Sequence, residues 1–513
     1  MKLRFLAPLY VVALATLMSA PFVTIANTTT SSLSSSSAPR TGDATAGTSV
    51  VWLVLDEAPL YALLKTDGTI NAERFPGFAK LASVSTWYRN TLATAQRTTE
   101  AVPAMLTGKW PTLRNYPVLA DHPINLFTLA NGTKKLDVYQ SITSLCPPRL
   151  CANKIPDKER QAEFQIKAFE NLVQSSTTST EATVHFSHIL LPHRPWRFAT
   201  DGRLGKELET DPRPSNFVDR RRDAYQSLLR QFVATDTMLL DYLTKLEQSD
   251  NWNRTMLIVT SDHGMTFVPG ESFRDKVNPN NAPTLDDIYR VPLFIKYPNQ
   301  SSAATNDCPV SSVDILPTVV SVAQIPTNAR FDGVDLSSTC PDRSSRRVRW
   351  PYTGKDLTTG FPDLVQRVKY YDKWVDAEGS VDDIHRVGLS GPLLGRSVQR
   401  SAPTMKGIHW TNVDARSFRN IGDTPYSYVP VRVSGRITTS RRICARCEGI
   451  LVVDGVIVAS IPELAGLRPA NKDAYFTTSV LTSRIRASSN EPELWIVNWS
   501  TSKAVFTRVG VSQ

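Results

Sequence analysis

Three stretches of the chain stay apolar for several residues and then turn polar at once. Val50 to Leu55 in "SVVWLVLDEAPL" ends in Asp56-Glu57, while "TVHFSHILLPH" (Thr183 to His193) and "TMLIVTSDHG" (Thr255 to Gly264) repeat the pattern. A continuous, valine-rich apolar run is what a strand covered on both faces of a parallel sheet requires. Between the second and third runs, Tyr225, Leu228, Leu229, Phe232, Leu239, Leu243 and Leu246 recur at three- and four-residue steps, which predicts one long helix. Strand, helix and strand in that order make a βαβ unit. The predicted fold is α/β, a mostly parallel central sheet flanked by helices. In such sheets ligands sit at the carboxyl ends of the strands, where these polar residues fall.

After about residue 375 the texture changes to short β-type runs split by Gly, Asn and Asp. Asp454-Gly455 between two apolar triplets predicts a hairpin. A smaller β-rich C-terminal domain, drawn as a sandwich, is expected over 376–513, behind a catalytic domain over 49–375. Residues 27–48 are Thr, Ser, Ala and Gly with almost no apolar bulk, a flexible linker. Before them, Lys2 and Arg4 precede the nearly uncharged run Phe5 to Ala26. Residues 1–26 read as a signal peptide, or as a signal anchor if uncut. Either way the remainder is exported: secreted or periplasmic, or anchored to the outer face of the cytoplasmic membrane.

Six cysteines fall into sequence-local pairs, Cys146 with Cys151, Cys308 with Cys340 and Cys444 with Cys447. In an exported chain an even count implies disulfides. The net charge of +10 over 513 residues favours anionic surroundings such as envelope polymers or lipid headgroups. It sets no expectation of nucleic acid. Membrane association is expected through the N-terminal segment.

The sharpest chemical signal is Asp262-His263-Gly264 directly after an apolar strand. A carboxylate and an imidazole buried side by side are costly unless a metal compensates them. Asp56 and Glu57, ending another strand, supply further oxygen ligands. Asp56, Glu57, Asp262 and His263 are therefore the predicted ligands of one divalent ion. An imidazole ligand favours zinc or manganese, with calcium possible.

The order of these features resembles the alkaline phosphatase superfamily, in particular its sulfatase-like branch: an acidic pair, a hydroxyl residue opening a helix, a His-bearing strand, then Asp-His-Gly. "RVPLFIKYP", "SSVDILPTVVSVAQI" and "FDGVDL" are similar to the later part of sulfatase catalytic domains, and the likeness spans roughly residues 48–345. In that family the nucleophile stands nine residues before a Thr-Gly, and in the related phosphoethanolamine transferases a threonine stands five before a proline. Counting from Thr107 and from Pro103 both lead to Thr98. The resemblance thus makes Thr98 the nucleophile; read alone, it fits an ordinary helix N-cap with Thr99 beside it. A threonine is not a precursor of formylglycine, and Glu100 and Val102 replace the sulfatase proline and arginine. Both departures point away from sulfate and toward phosphorus.

His188 and His193 match the "His-x4-His-x-Pro" of the same transferases. The resemblance makes His193 the proton donor to the leaving oxygen and His188 a second substrate contact, with a core histidine the alternative for His188. His185 faces the other way along the strand and is expected to be structural. Where the transferases carry a histidine this chain has Asp275; Lys276 is the predicted anion clamp and Arg274 a lesser candidate. The Arg220-Arg221-Arg222 run is expected to be a solvated face. The predicted function is metal-dependent hydrolysis or transfer at a phosphodiester of an anionic envelope lipid or glycan, through a phospho-threonine. A sulfuric ester hydrolase and an inactive polysaccharide-binding protein are the alternatives.

Overall fold

The structure, a computed structural model, describes residues 47–511 apart from 113–114, 152–161, 206–217, 344–345, 350–355, 360–362, 400, 414, 440, 469–472 and 501–502. The predicted signal or anchor and nearly all of the linker lie outside the described residues. Among the described residues no helix is long and apolar enough to cross a membrane.

Strand β1 (Ser49–Asp56) is buried along its whole length. Its side chains alternate between two cores: Val51, Leu53 and Leu55 enter one and Val50, Trp52 and Val54 the other. A strand sealed on both faces has no polar position to spare, hence the unbroken apolar run. The other strands of its sheet are β2 (Thr86–Tyr88), β3 (Lys135–Tyr139), β4 (Thr183–Pro192), β5 (Thr255–Ser261), β6 (Leu293–Lys296) and β7 (Ala304–Asn306). They line up as β3-β4-β1-β5-β6-β2-β7. The first four are mutually parallel, β6 runs antiparallel to both neighbours, and β7 is parallel to β2. The α/β expectation, mostly parallel, therefore holds.

Helices α1 (Pro76–Val84) and α4 (Val218–Glu247) cover one face, and α2 (Thr98–Thr107) and α5 (Ile315–Val322) the other. All seven apolar positions that predicted α4 are buried in the first core. Each such leucine contributes roughly 1.5–3 kcal/mol of transfer free energy.

The second sheet contains β8 (Thr404–Asn412), β9 (Arg432–Thr439), β10 (Cys447–Val453), β11 (Val456–Ile461), β12 (Asp473–Ser479), β13 (Glu493–Asn498) and β14 (Val505–Val511). Asp454 and Gly455 close the β10–β11 hairpin with φ of 52° and 84°, the left-handed pair a two-residue turn needs. The expected sandwich is corrected: these strands form one sheet, β11-β10-β13-β14-β8-β9-β12, not two stacked ones. Its end strands approach each other, with Thr478 Oγ1 donating to the Ser460 carbonyl over 3.1 Å, so the sheet curls nearly into a barrel around its own core. The three cysteine pairs are disulfides.

The Arg220–Arg222 run is also corrected. Arg221 and Arg222 are buried rather than solvated. The Arg222 guanidinium donates to Glu463 beside the second sheet, and Arg221 lies 4.2 Å over the Phe273 ring. Cations at the start of α4 thus serve the packing between the layers.

Candidate active site

Strands β4, β1 and β5 are neighbours and parallel, so their carboxyl ends deliver His188 and His193, Asp56 and Glu57, and Asp262 and His263 to one edge. Asp56, His188 and Asp262 each offer a ligand atom, and these atoms lie within 4.8 Å of one another. His188 Nε2 is 3.8 Å from Asp56 Oδ2 and 4.0 Å from Asp262 Oδ2. His263 Nε2 is 3.7 Å from Asp56 Oδ1 and 3.3 Å from Asp262 Oδ2. All four side chains are buried.

These separations are mostly too long for hydrogen bonds. They suit ligands about 2 Å from a shared ion. Both ring nitrogens of His188 are sealed from water without a hydrogen-bond partner among the described residues. A doubly orphaned imidazole between two carboxylates is unfavourable alone and fits a metal ligand. The donor set therefore fits a divalent ion, with His188 turned toward the cluster.

Glu57 takes a different position from its neighbour. It is the residue after β1, with φ of 59°, a left-handed conformation that costs a non-glycine residue about 1–3 kcal/mol. Its Oε1 pairs with Arg274 Nη1 at 3.2 Å and its Oε2 lies 3.6 Å from His193 Nε2. Arg274 Nη1 also donates to His263 Nε2 over 2.6 Å, while His263 Nδ1 faces the Gly264 carbonyl at 3.1 Å. Burial, then the Arg274 charge, holds the His263 imidazole far below its ordinary pKa, which keeps it neutral and able to accept. Burial alone would lower Arg274; Glu57, Asp56 and Asp262 more than offset it and raise it. Burial and the nearby Asp56 raise Asp262 well above the usual carboxylate range.

Thr98 is the first residue of α2; its N-cap is Arg97, whose side chain makes no capping bond. The Thr98 hydroxyl is therefore not spent on a cap. It donates to Asp262 Oδ2 over 2.7 Å and lies 3.4 Å from His263 Nε2. The helix N-terminus beneath it favours negative charge.

Of the residues predicted from sequence, the structure brings Thr98, Asp56, Glu57, His188, His193, Asp262 and His263 to one place. Lys276 is exposed, and among the described contacts its ammonium has none at the cluster; Arg274 occupies that role. Asp275 Oδ1 instead accepts from Arg97 Nε at 3.4 Å, tying the loop to the start of α2. His185 turns away to Asp137 at 3.1 Å and Ser175 at 3.2 Å. Gln231 on α4 was not anticipated: its Nε2 donates to the Pro192 carbonyl over 3.0 Å and the His193 carbonyl over 2.7 Å. A polar residue inside an amphipathic helix carries no sequence signal of that task. Gly264 is needed as glycine, because a Cβ there would stand 2.3 Å from the Asp287 carbonyl oxygen.

Residues 153–325 match the family model described as Sulfatase. The chain carries a sulfatase-family domain. The domain's relatives include the low-salt glycan biosynthesis sulfotransferase of Haloferax volcanii, 24% identical over 266 residues, which are 50% of this chain and 60% of that protein. The ulvan-active sulfatase of Formosa agariphila is 28% identical over 196 residues, 36% of each chain. The chain thus spans well under two thirds of these relatives. Among solved structures, the phosphonate monoester hydrolase of Agrobacterium radiobacter aligns over 60% of this chain and 82% of its own, at 13% identity and a TM-score of 0.45. The expected resemblance to the sulfatase-like branch holds for this domain.

Proposed function

We propose that this sulfatase-family chain is a metal-dependent hydrolase or transferase that cleaves a phosphodiester of a cell-envelope lipid or glycan, with Thr98 as nucleophile. One observation carries the reading: a buried hydroxyl at a helix N-terminus, freed from capping, donates over 2.7 Å to Asp262 of the acidic and imidazole cluster. In the first step the Thr98 oxygen forms a bond to phosphorus and the ester P–O bond breaks. The Thr98 proton passes toward Asp262, and His193, one fifth exposed beside the buried Glu57, supplies a proton to the departing alkoxide. Water, or a hydroxyl of a glycan or lipid, then attacks the phospho-threonine and gives its proton to His193, restoring Thr98.

Asp56, Asp262, His188 and His263 would hold a divalent ion, zinc or manganese before calcium, whose charge lowers the pKa of the hydroxyl. Arg274 neutralises Glu57 and adds positive charge at the mouth. Export to the envelope accords with the three disulfides. Sulfuryl chemistry is the second reading, favoured by the printed activities of the curated relatives. Turnover of aryl phosphodiesters and aryl sulfates, with and without chelator, separates the two. A phosphoryl group on the Thr98 peptide by mass spectrometry is the expected result; turnover of aryl sulfate alone overturns the phosphoester reading.

A further inference from the structure

Beside the nucleophile, on α2 and the chain that follows it, lies a second cavity of about 390 Å3. That is within the ~300–1,000 Å3 usual for small-ligand sites. None of the acidic and imidazole residues of the cluster lines it. Thr99 and Glu100 do, so it opens within one helical turn (~5.4 Å) of Thr98.

Its lining mixes two kinds of surface. Trp110, Pro123 and Ile124 supply apolar faces, and Ile124 is 56% exposed. Thr99, Glu100, Asn115 and His122 supply a hydroxyl, a carboxylate, an amide and an imidazole. Glu100 Oε2 and His122 Nε2 are both sealed from water and lack a hydrogen-bond partner among the described residues. Two orphaned polar atoms in the walls of one cavity are costly until a ligand hydroxyl reaches them. Burial pushes His122 down, so the imidazole is neutral and offers both a donor and an acceptor.

Charge narrows the ligand. Lys109, the cation among the described lining residues, is engaged by Asp332 at 2.9 Å. A carboxylate in the wall repels a second phosphate or sulfate, and four polar side chains make a poor bed for an acyl chain. Hydroxyls at the edge of a ring and C–H groups on its face match this lining.

The geometry points to a subsite for a neutral sugar ring, held next to Thr98 as part of the donor or acceptor glycan. As a substrate subsite it rests on the phosphoester reading above, and it narrows the substrate from lipid or glycan to glycan.

The test uses the full chain carrying Thr98→Ala, with methyl glycosides of glucose, galactose, mannose and N-acetylglucosamine as probes in saturation-transfer NMR. At least one glycoside is expected to bind. Binding should fall about tenfold in Trp110→Ala and in Ile124→Asp, the loss typical of a central aromatic or pocket contact. Ile124 is exposed, so an unchanged melting curve for Ile124→Asp certifies the fold. Binding to no glycoside, binding unchanged in both variants, or displacement of the glycoside by decanoate overturns the subsite. Phosphodiester turnover by the unmutated protein is measured in parallel. Turnover without sugar binding removes the subsite alone, and sugar binding without turnover removes the phosphoester reading alone.

Discussion

Thr98 and Asp262 are separated by 164 residues, yet the threonine hydroxyl donates to the aspartate over 2.7 Å inside a buried cluster. The bond joins the first residue of a helix on one face of the sheet to the end of a central strand. Its consequence is direct. Thr98→Ala should lower turnover by about a thousandfold or more, the scale seen when a nucleophile is removed. Thr98→Ser, which keeps an oxygen in reach of Asp262, should retain measurable activity. Steady-state kinetics on an aryl phosphodiester decide it; an alanine variant within tenfold of the parent rejects the nucleophile.

His188 supplies a test of the metal with a readout besides activity. Its two ring nitrogens are buried without partners among the described residues. Replacing an unsatisfied buried imidazole by an apolar ring removes a desolvation penalty. In chelator-treated protein, His188→Phe should therefore match or exceed the parent in melting temperature. Adding zinc or manganese should stabilise the parent by about 2.7 kcal/mol at a hundredfold excess over the dissociation constant. The variant should gain far less. Equal metal-dependent shifts in calorimetry would remove His188 from the ligand set.

How far the sequence reaches can be seen by comparing β1 with the loop around Arg274. The β1 run was legible because a strand sealed on both faces leaves a one-letter signature, and Asp56 had to end it. The Asp-His-Gly was legible for the same reason. Which cation faces the cluster was not, because Arg274, Asp275 and Lys276 differ only in where a loop turns them. Glu57 illustrates the same limit: its positive φ aims the carboxylate at Arg274 and His193, and no residue pattern announces that in a glutamate. The curled second sheet was misread as a sandwich because alternation within strands says nothing of which strands pair.

Arg274 and Lys276 accordingly separate in mutants. Arg274 bonds His263 over 2.6 Å and pairs with Glu57 at 3.2 Å. Arg274→Ala leaves a buried carboxylate unpaired and should cut kcat/KM by about 100-fold, in the range reported for loss of a charge-stabilising donor. Arg274→Lys should recover only part, since an ammonium lacks the planar fork. Lys276→Ala should stay within about twofold, the behaviour of an exposed side chain. Kinetics in which Lys276→Ala is the more damaged variant would reverse the assignment.

The last prediction concerns His385, buried where the layer carrying α4 meets the second sheet. Its Nδ1 lies 3.1 Å from Ser479 Oγ on β12, and Arg230 of α4 donates to that same hydroxyl over 3.2 Å. Burial first, and the Arg230 charge second, push its pKa down to about 3. The unfolded chain titrates near 6.5. Between these values the unfolded state holds the extra proton, so the folded state is fully favoured above about pH 6.5 and loses stability as the pH falls toward 3. The slope for one such group is at most about 1.4 kcal/mol per pH unit. Asp236, pushed up to about 7 chiefly by burial, works in the opposite direction across the same range, because its folded form holds the proton. Total stability is therefore a poor probe, and a difference between two proteins cancels Asp236. His385→Gln keeps a partner for Ser479 and does not titrate. Urea midpoints at pH 7 and pH 5 should show the parent losing about 1–2 kcal/mol more than the variant. Parallel loss in the two proteins would mean that His385 takes up its proton without disturbing the joint, and the burial argument would fail at that residue.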